Sequence, residues 1–277
     1  MPKVRVHYFS STGNSQLAAE VITAGLQRAG WEASLKDIRT LKIEDETEDI
    51  ISSDLIGFVF PIYAFRAAII MEEHIQALPA SKIPRQVFFA ATYAGYLDRA
   101  FMRLRDFLVP KNYFPVAETT LICEDSWTAI RIPGTMYDTG WPEKASLKRL
   151  FDFSEKNIPQ IWKQNADSPK AAICWVPFNP ITLIAATFPI AIRRGKQFPI
   201  FVKKSLCTKC GKCASQCPTG RLKMMPFPKA QGNCIGCYGC INSCPVEAIN
   251  TWFTNGRSRY RGPRLKLSDL LAPESQL

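Results

Sequence analysis

The chain has little histidine and lacks the signatures of several common enzyme classes. Only two of its 277 residues are histidines, His7 in a strand-like run and His74 in a helix-like run, and we interpret both as packing or surface residues. No arrangement of serine, cysteine or carboxylate side chains indicates hydrolysis. No G-x-G-x-x-G motif is present for tight nicotinamide binding. The sequence therefore supports neither hydrolysis nor NAD(P)H as a direct electron donor, while transient nicotinamide binding stays open.

An apolar leader is also missing. Residues Met1 to Phe9 alternate charged and apolar side chains and lack the apolar h-region of a signal peptide. We therefore expect a cytoplasmic, reducing setting, where cysteines act as metal ligands more often than they form disulfides. A hydrophobic content of 47% and a charged content of 21% are typical of a globular protein.

Eight of the ten cysteines form two copies of one spacing. Each copy reads C-x2-C-x2-C-x3-C-P, and the second begins 27 residues after the first. This run is typical of bacterial proteins with two 4Fe–4S clusters, in which the fourth cysteine of each copy binds the other cluster. The first predicted ligand set is Cys207, Cys210, Cys213 and Cys244, and the second is Cys217, Cys234, Cys237 and Cys240.

Two structural zinc sites are the alternative for these cysteines. Zinc ligands usually come in spaced pairs, not in triplets followed by Cys-Pro, so the clusters are favoured. Gly211, Gly236 and Gly239 free the backbone to turn its amides toward sulfide. A domain this short has little core, so the clusters should be its main source of stability. The remaining Cys123 and Cys174 lie in apolar runs and are interpreted as buried thiols.

The N-terminal half alternates apolar runs with stretches of helical spacing. Because strand and helix alternate, we expect a parallel α/β sheet with helices on both faces. The predicted strands are 4–9, 31–38, 54–60, 87–92 and 116–123, and the predicted helices are 14–29, 67–78, 97–108 and 143–164.

A serine-rich loop separates the first predicted strand from the first helix. Hydroxyl groups, a glycine and a helix N-terminus together make an anion cradle. The loop has no lysine, so it is not a Walker loop, and a single phosphate monoester without a countercharge suits FMN. An ordinary serine-rich helix cap is the alternative. The loop residues are Ser10, Ser11, Thr12, Gly13, Asn14 and Ser15.

Two more loops follow predicted strands at what should be the same edge of the sheet. Open α/β sheets bind ligands at the carboxyl ends of their strands, so aromatic residues there can sandwich a flavin ring. We expect at least one of these aromatic residues simply to pack. The first loop is Pro61, Ile62, Tyr63, Ala64 and Phe65, and the second is Thr92, Tyr93, Ala94, Gly95 and Tyr96.

A proline-rich apolar segment follows the last predicted helix. Ile173 to Ile192 is apolar enough to suggest a membrane span, but its prolines argue against a continuous helix. The favoured interpretation is a connector packed between two domains. Peripheral membrane contact through 173–196 is the alternative. The predicted divisions are 1–168, a connector at 169–199, a cluster domain at 200–255 and a tail at 256–277.

Together these motifs resemble the flavodoxin–ferredoxin fusion proteins of anaerobic bacteria. The serine-rich loop is similar to the flavodoxin phosphate loop, S/T-x-T-G-N-T/S, and residues 201–250 resemble a two-cluster ferredoxin. The tail from Arg259 to Leu270 is similar to the ending of such fusions. The resemblance implies a flavodoxin-like, doubly wound, five-stranded parallel sheet of order 2-1-3-4-5 that binds FMN. It also implies a small α+β ferredoxin-like domain that carries two 4Fe–4S clusters.

Charge is the main departure from this resemblance, because flavodoxins and ferredoxins are usually acidic. From Arg193 to Lys266 there are 15 Lys and Arg and one acid, whereas residues 1–192 hold 20 bases and 21 acids. The net charge of +11 thus arises in the C-terminal quarter. Part of this positive charge balances the negative charge of the clusters. The rest suggests a redox partner protein that is acidic on its docking face, or an anionic surface. A smaller departure is Ala94, which replaces a usual glycine.

Three functions remain open. The first is electron transfer between the two clusters and FMN. The second is a flavin-dependent reductase acting on a small-molecule acceptor, in which residues 124–141 form either a substrate lid or a structural loop, the latter being favoured. The third is binding of nucleic acid or an anionic membrane. It ranks last because the basic residues are not interleaved with a nucleic-acid motif.

Overall fold

The N-terminal region is a sheet whose strands alternate with helices. The computed structural model describes residues 1–41, 50, 52–63, 65–95, 97, 99–127, 140–171, 199–251, 254 and 259–272. The strands are β1 (Lys3–Tyr8), β2 (Glu32–Asp37), β3 (Leu55–Tyr63), β4 (Arg66–Ala67), β5 (Arg85–Tyr93) and β6 (Tyr113–Ile122). The helices are α1 (Asn14–Arg28), α2 (Ile69–Ala77), α3 (Ala100–Leu108), α4 (Lys144–Asp152) and α5 (Ile158–Gln164).

The main sheet has the order β2-β1-β3-β5-β6 with all five strands parallel. The short β4 pairs antiparallel with the end of β3 and lies outside this order. When β4 is left out and the five parallel strands are numbered along the chain, their order is 2-1-3-4-5. That order is the flavodoxin-like doubly wound arrangement, and the fold prediction is confirmed. Because β1 and β3 are central, the loops after them lie side by side at the carboxyl edge.

Apolar side chains are buried on both faces of the sheet. Phe58 and Phe89 face one layer together with residues of α2 and α3. Val59 and Phe88 face the other layer together with residues of α1 and α4. All four are fully buried, and each such side chain contributes roughly 1.5–3 kcal/mol relative to exposure. The near-continuous apolar runs in β3 and β5 are therefore explained by burial on both sides.

Two differences from the predicted elements have a clear local cause, and the other boundaries shift by at most three residues. The third strand does not end before Pro61 but runs to Tyr63. Pro61 has no N–H to donate, but the paired part of β1 ends opposite Val59, so no bond to β1 is lost there, and the Pro61 carbonyl accepts from the Ala68 N–H. The predicted helix 143–164 is interrupted by a π-turn at Phe153–Asn157, where the fully buried Ser154 packs against Gly25 of α1.

The cysteine-rich region consists of short elements around a small core. Its elements are β7 (Phe201–Val202), α6 (Lys212–Ser215), β8 (Leu222–Met224), β9 (Pro228–Ala230), α7 (Gly239–Asn242) and β10 (Ile249–Asn250). β7 pairs antiparallel with β10, and β8 with β9. The core consists of Leu222, Tyr238, Ile241 and Ile249 together with Cys213. A core this small can supply only part of the stability that the region needs.

The tail returns from the cysteine-rich region to the sheet. It ends in α8 (Leu267–Leu271), and Leu265, Leu267 and Leu270 pack against the core layer that contains α1. Among the helices that are described, none is long and apolar enough to cross a membrane. Most of the predicted connector, including Cys174 and the apolar run 173–192, lies outside the described residues.

Candidate functional site

The serine-rich loop ends on an uncapped helix. Gly13 precedes α1 with φ 101°, and no side chain caps the first turn, which also contains no acidic residue. The first N–H groups of a helix lack intrahelical partners, and the helix dipole favours an anion at that position. The Gly13 N–H itself donates to Ser10 Oγ at 3.0 Å. The backbone of this loop therefore fits a phosphate group.

The loop side chains hold the three predicted flavin loops together. Ser11 Oγ lies 2.5 Å from the Tyr63 hydroxyl oxygen, which joins the first loop to the second. Ser15 Oγ lies 2.6 Å from Thr92 Oγ1, which joins the first loop to the third. These hydroxyls are thus engaged by protein partners, and the backbone amides are the main donors offered to a phosphate.

The second and third loops lie where the sequence predicts, at the carboxyl ends of β3 and β5. Pro61, Ile62 and Tyr63 are the last residues of β3, and Tyr93 is the last residue of β5. Burial raises the pKa of Tyr63 well above its usual value. Thr92 is buried and its hydroxyl is bonded to Ser15, so it links β5 to the first turn of α1 and is not offered to a ligand. The half-buried residues beside these strand ends are Phe65, Ala94 and Gly95, while Ala64 and Tyr96 lie outside the described residues.

The first predicted ligand set shares one cavity. Cys207, Cys210, Cys213 and Cys244 all line it, although Cys244 lies 31 residues beyond Cys213 in the sequence. Cys210 is exposed, Cys207 is half-buried, and the other two are buried. The cavity therefore opens to solvent on the side of Cys210. These residues are suited to hold a 4Fe–4S cluster, and their ligand roles stay predictions.

The second predicted set contains no exposed cysteine, since Cys237 is buried and Cys217, Cys234 and Cys240 are half-buried. Burial raises the pKa of Cys237 to about 12, and the neighbouring Cys234 and Cys217 raise it further. Burial likewise raises the pKa of Cys240, with Cys237, Cys234 and Cys217 adding to the shift. Four thiols that influence one another in this way lie close together. Iron binds thiolates, so cluster assembly here would release protons.

Backbone geometry around both sets is suited to sulfur ligands. The Gly236 N–H donates to Cys234 Sγ at 3.4 Å, and the Ala248 N–H donates to Cys244 Sγ at 3.2 Å. Gly211 has φ 73° and opens α6 so that Cys213 can point into the cavity. Hydrogen bonds to sulfur are among the means by which proteins set cluster potentials. Within the described ranges, no three His, Cys, Asp or Glu side chains converge on a point that could hold a single metal ion.

The second set meets the serine-rich loop directly. Ser11 Oγ donates to the Cys237 carbonyl oxygen at 3.2 Å. A Cβ atom on Gly239 would lie 3.3 Å from the Ser11 carbonyl oxygen, so the two backbones are in close contact. The two predicted sites therefore form one continuous region, in which Ser11 contacts both the flavin loop and a cluster ligand.

The tail covers the same loop from the other side. The Tyr260 hydroxyl donates to Asn14 Oδ1 at 2.5 Å, and Asn14 Nδ2 donates to the Glu124 carbonyl at 3.4 Å. A Cβ atom on Gly13 would lie 2.9 Å from Pro263 Cδ, and one on Gly262 would lie 3.2 Å from the Thr12 carbonyl oxygen. The sequence gives no signal for these contacts, because Tyr260 and Asn14 are 246 residues apart.

The same tail segment is fastened to the cysteine-rich region. Arg261 Nη1 donates to the Cys244 carbonyl at 2.9 Å, and Arg261 Nη2 pairs with Glu247 at 2.7 Å. Arg259 is buried and donates to the Ile249 carbonyl at 3.2 Å. Residues 259–263 thus bridge the cysteine-rich region and the serine-rich loop.

The comparisons with known proteins agree with this division. Residues 199–249 match the family model of the 4Fe-4S dicluster domain. No curated protein matches the chain in sequence. The predicted domain boundaries at 168, 199 and 255 stay predictions.

Several solved structures resemble the sheet region. Two-electron reduced flavodoxin from Megasphaera elsdenii is 16% identical, covering 55% of this chain and 98% of the flavodoxin, with a TM-score of 0.41. Flavodoxin from Streptococcus pneumoniae TIGR4 is 14% identical, covering 57% and 99%, with a TM-score of 0.40. Rubredoxin oxygen:oxidoreductase from Desulfovibrio gigas is 13% identical, covering 60% and 37%, with a TM-score of 0.45.

The fold assignment rests on the sheet order, to which these scores add no weight. With the dicluster match, that order confirms the resemblance to flavodoxin–ferredoxin fusions. The chain thus combines a region similar to the 4Fe-4S dicluster domain with a sheet of flavodoxin-like order.

Proposed function

We propose that this chain is an electron-transfer protein in which two 4Fe–4S clusters exchange electrons with FMN held at the carboxyl edge of the sheet. The observation that carries the proposal is the position of Ser11. Its hydroxyl contacts the Tyr63 hydroxyl in the second flavin loop and the carbonyl of Cys237 in the second cysteine set. A flavin site and a cluster site that share one residue are suited to electron exchange.

Each cofactor has its own residues in this proposal. FMN exchanges one or two electrons and a 4Fe–4S cluster exchanges one, so together they can join one-electron and two-electron chemistry. The loop amides of residues 11–15 hold the phosphate, and Tyr63, Phe65 and Tyr93 border the ring. The tail residues Gly262 and Pro263 cover the loop and limit the access of water to it.

The reductase alternative depends on residues 124–141 acting as a lid. Both described ends of this segment are fixed. The Ser126 carbonyl accepts a hydrogen bond from Asn242 at 2.8 Å, and the Trp127 ring packs edge-on against Tyr238 with centroids 6.0 Å apart. The Gly140 N–H donates to the Glu124 carboxylate at 3.2 Å. These contacts favour a structural loop, although residues 128–139 lie outside the described part.

The test is a comparison of FMN with riboflavin, which lacks the phosphate. The anaerobically cluster-loaded chain should bind FMN about tenfold to a hundredfold more tightly than riboflavin, because a phosphate gains charge-assisted hydrogen bonds. Thr12→Asp places a carboxylate in the loop and should abolish that preference. Thr40→Asp, at an exposed position after β2, should keep it. Fluorescence titration of each flavin measures both affinities.

Electron exchange is tested in the same sample. Limited addition of dithionite to the chain loaded with clusters and FMN should bleach the flavin absorbance along with that of the clusters. A chain that retains no FMN, or one whose flavin stays oxidised while its clusters are reduced, would contradict the proposal. Steady-state consumption of a small molecule without an added carrier protein would instead establish the reductase function.

A further inference from the structure

The two cysteine sets differ in what surrounds them. Cys237 of the second set is buried beneath Ser11 of the sheet region. Cys210 of the first set is exposed, and it lies at the opening of the cavity that its set lines. A partner that exchanges electrons with the clusters therefore meets its most exposed ligand at Cys210 of the first set, because no cysteine of the second set is exposed.

One lysine lines this cavity, and two more contact Phe227, the chain neighbour of the cavity-lining Pro228. Lys212 lines the cavity beside Cys210 and Cys213. Lys204 and Lys209 both place their ammonium groups over the Phe227 ring, at 5.8 Å and 5.0 Å from its centroid. These cation–π contacts hold the ammonium groups of Lys204 and Lys209 on the same side of the cysteine-rich region. We call Lys204, Lys209, Lys212 and Phe227 the port patch.

The acidic residue nearest in sequence, Glu247, lies between the cavity-lining Val246 and Ala248 and pairs with Arg261 at 2.7 Å, so it is already engaged outside the port patch. Residues 199–246 contain seven Lys and Arg and no Asp or Glu. Two large apolar side chains, Leu206 and Met225, are exposed by 48% and 58% in the same stretch. A basic surface with exposed apolar residues, beside an accessible redox site, has the composition of a transient protein-docking surface.

From this arrangement we infer that the port patch is the docking surface for an acidic one-electron carrier protein, which exchanges electrons at the first cysteine set. The inference rests on the proposed electron-transfer function and identifies the kind of partner. Charge complementarity selects an acidic protein, because opposite charges speed encounter and like charges slow it. The exposed Cys210 indicates a redox carrier, because a partner that docks on the lysines would lie beside this cysteine and could exchange electrons there.

The experiment measures association and reduction with a defined probe, an acidic two-cluster ferredoxin, on the cluster-loaded chain. The test variant is K204E/K209E/K212E. The matched control is K82E/K163E/K170E, which makes the same change in net charge at exposed lysines of residues 1–171. Iron and sulfide contents are measured first, so that only samples with full clusters are compared. Excess dithionite, which needs no docking, should reduce the clusters to the same final extent in all three proteins.

The expected result is specific to the patch. The test variant should be reduced by the ferredoxin about 10-fold to 100-fold more slowly than wild type at low salt, and its affinity in calorimetric titration should fall with it. The wild-type rate should decline as salt is added, while the rate of the variant should change little. The control variant should stay within about twofold of wild type.

Three results would overturn the inference. In the first, the test variant keeps the wild-type rate and affinity. In the second, the control variant slows as much as the test variant, which would assign the effect to net charge alone. In the third, wild type sediments with phosphatidylserine vesicles, the test variant does not, and the ferredoxin rates are equal, which would make the patch a membrane surface. Reduction is followed at the clusters, so a failure here is separate from a failure to bind FMN.

Discussion

His7 and His74 form a buried pair that neither residue's sequence context indicates. His7 Nδ1 lies 2.9 Å from His74 Nε2, and both rings pack near Phe58. Burial lowers the pKa of His7 to about 3, with His74, Lys36 and Arg5 adding to the effect. Burial also lowers the pKa of His74 to about 4. The pair is thus neutral in the folded protein, and one ring donates to the other.

This pair should make the fold sensitive to acid. The pKa values are lower in the folded state than the ordinary 6.5, so the unfolded chain binds protons first as the pH falls. The stability that the pair contributes is complete above about pH 6.5 and is lost progressively toward pH 4. Each histidine should cost about 1–2 kcal/mol of unfolding free energy between about pH 7 and pH 5.

The variant His74→Gln tests this expectation, because glutamine can keep a hydrogen bond to His7 but does not titrate. Between about pH 7 and pH 5 it should lose about 1–2 kcal/mol less stability than wild type in anaerobic urea unfolding. Glu73→Gln, at the exposed neighbouring position of α2, should behave like wild type. Equal pH dependence in His74→Gln and wild type would show that the pair does not stay neutral.

At the scale of elements, the contact between the serine-rich loop and the tail is the feature that most defines the site. Glycine is required at position 13 for two reasons. Its φ of 101° is unfavourable for other residues, and a Cβ atom there would lie 2.9 Å from Pro263 Cδ. Gly30 at the end of α1 has a similar φ of 84°, but nothing lies within 4 Å of its Cβ position. A comparison of alanine substitutions at the two glycines therefore separates the cost of backbone strain from the cost of displacing the tail.

Gly13→Ala should destabilise the protein more than Gly30→Ala does. Both substitutions add backbone strain of about 1–2 kcal/mol, and only Gly13→Ala also displaces the tail. We expect a further loss of about 1 kcal/mol or more in unfolding free energy and faster proteolysis within residues 259–272. Mass spectrometry of the cleavage products locates the cuts. Identical stability and cleavage in the two variants would mean that the tail does not depend on the loop.

Most of these elements could be predicted, because they depend on local patterns. The apolar runs of β3 and β5 and the helical spacing of α1 follow from burial on a two-sided sheet. The eight-cysteine spacing is local to each loop, and so is the Thr12-Gly13-Asn14 turn. The order of the strands followed from the resemblance, and the structure confirms it.

What could not be predicted depends on contacts between distant parts of the chain. The Tyr260–Asn14 hydrogen bond, the Ser11–Cys237 hydrogen bond and the His7–His74 pair join residues that are 246, 226 and 67 positions apart. No periodicity or motif encodes such pairs. The end of β3 was predicted too early because proline usually ends a strand, and the pairing that tolerates Pro61 is visible only in the fold.

At the scale of the whole molecule, stability should be divided unequally between the two regions. The sheet region has two extensive core layers, whereas the core of the cysteine-rich region is small. The clusters should therefore contribute much of the folding free energy of residues 199–249. Their loss should unfold that region and leave the sheet folded.

Cys213→Ala and Cys123→Ala make a matched pair for this expectation, since both cysteines are buried. Cys213→Ala should lower the iron content by about half and make residues 199–249 sensitive to protease, because one cluster loses a ligand. Cys123→Ala should keep the full iron content, because it changes only packing in the core. Intact residues 199–249 in iron-depleted Cys213→Ala would show that the region folds without its clusters.

The contact between Asn14 and Tyr260 also has a consequence for the order in which the protein is made. The serine-rich loop leaves the ribosome early, and the residue that covers it follows 246 positions later. Domains fold as units during synthesis, the N-terminal one first. The sheet can thus form with its loop open, and a phosphate-bearing molecule can enter before the cysteine-rich region has emerged. Because the cover is made last, FMN that binds as proposed should be able to enter the loop before Tyr260 reaches it.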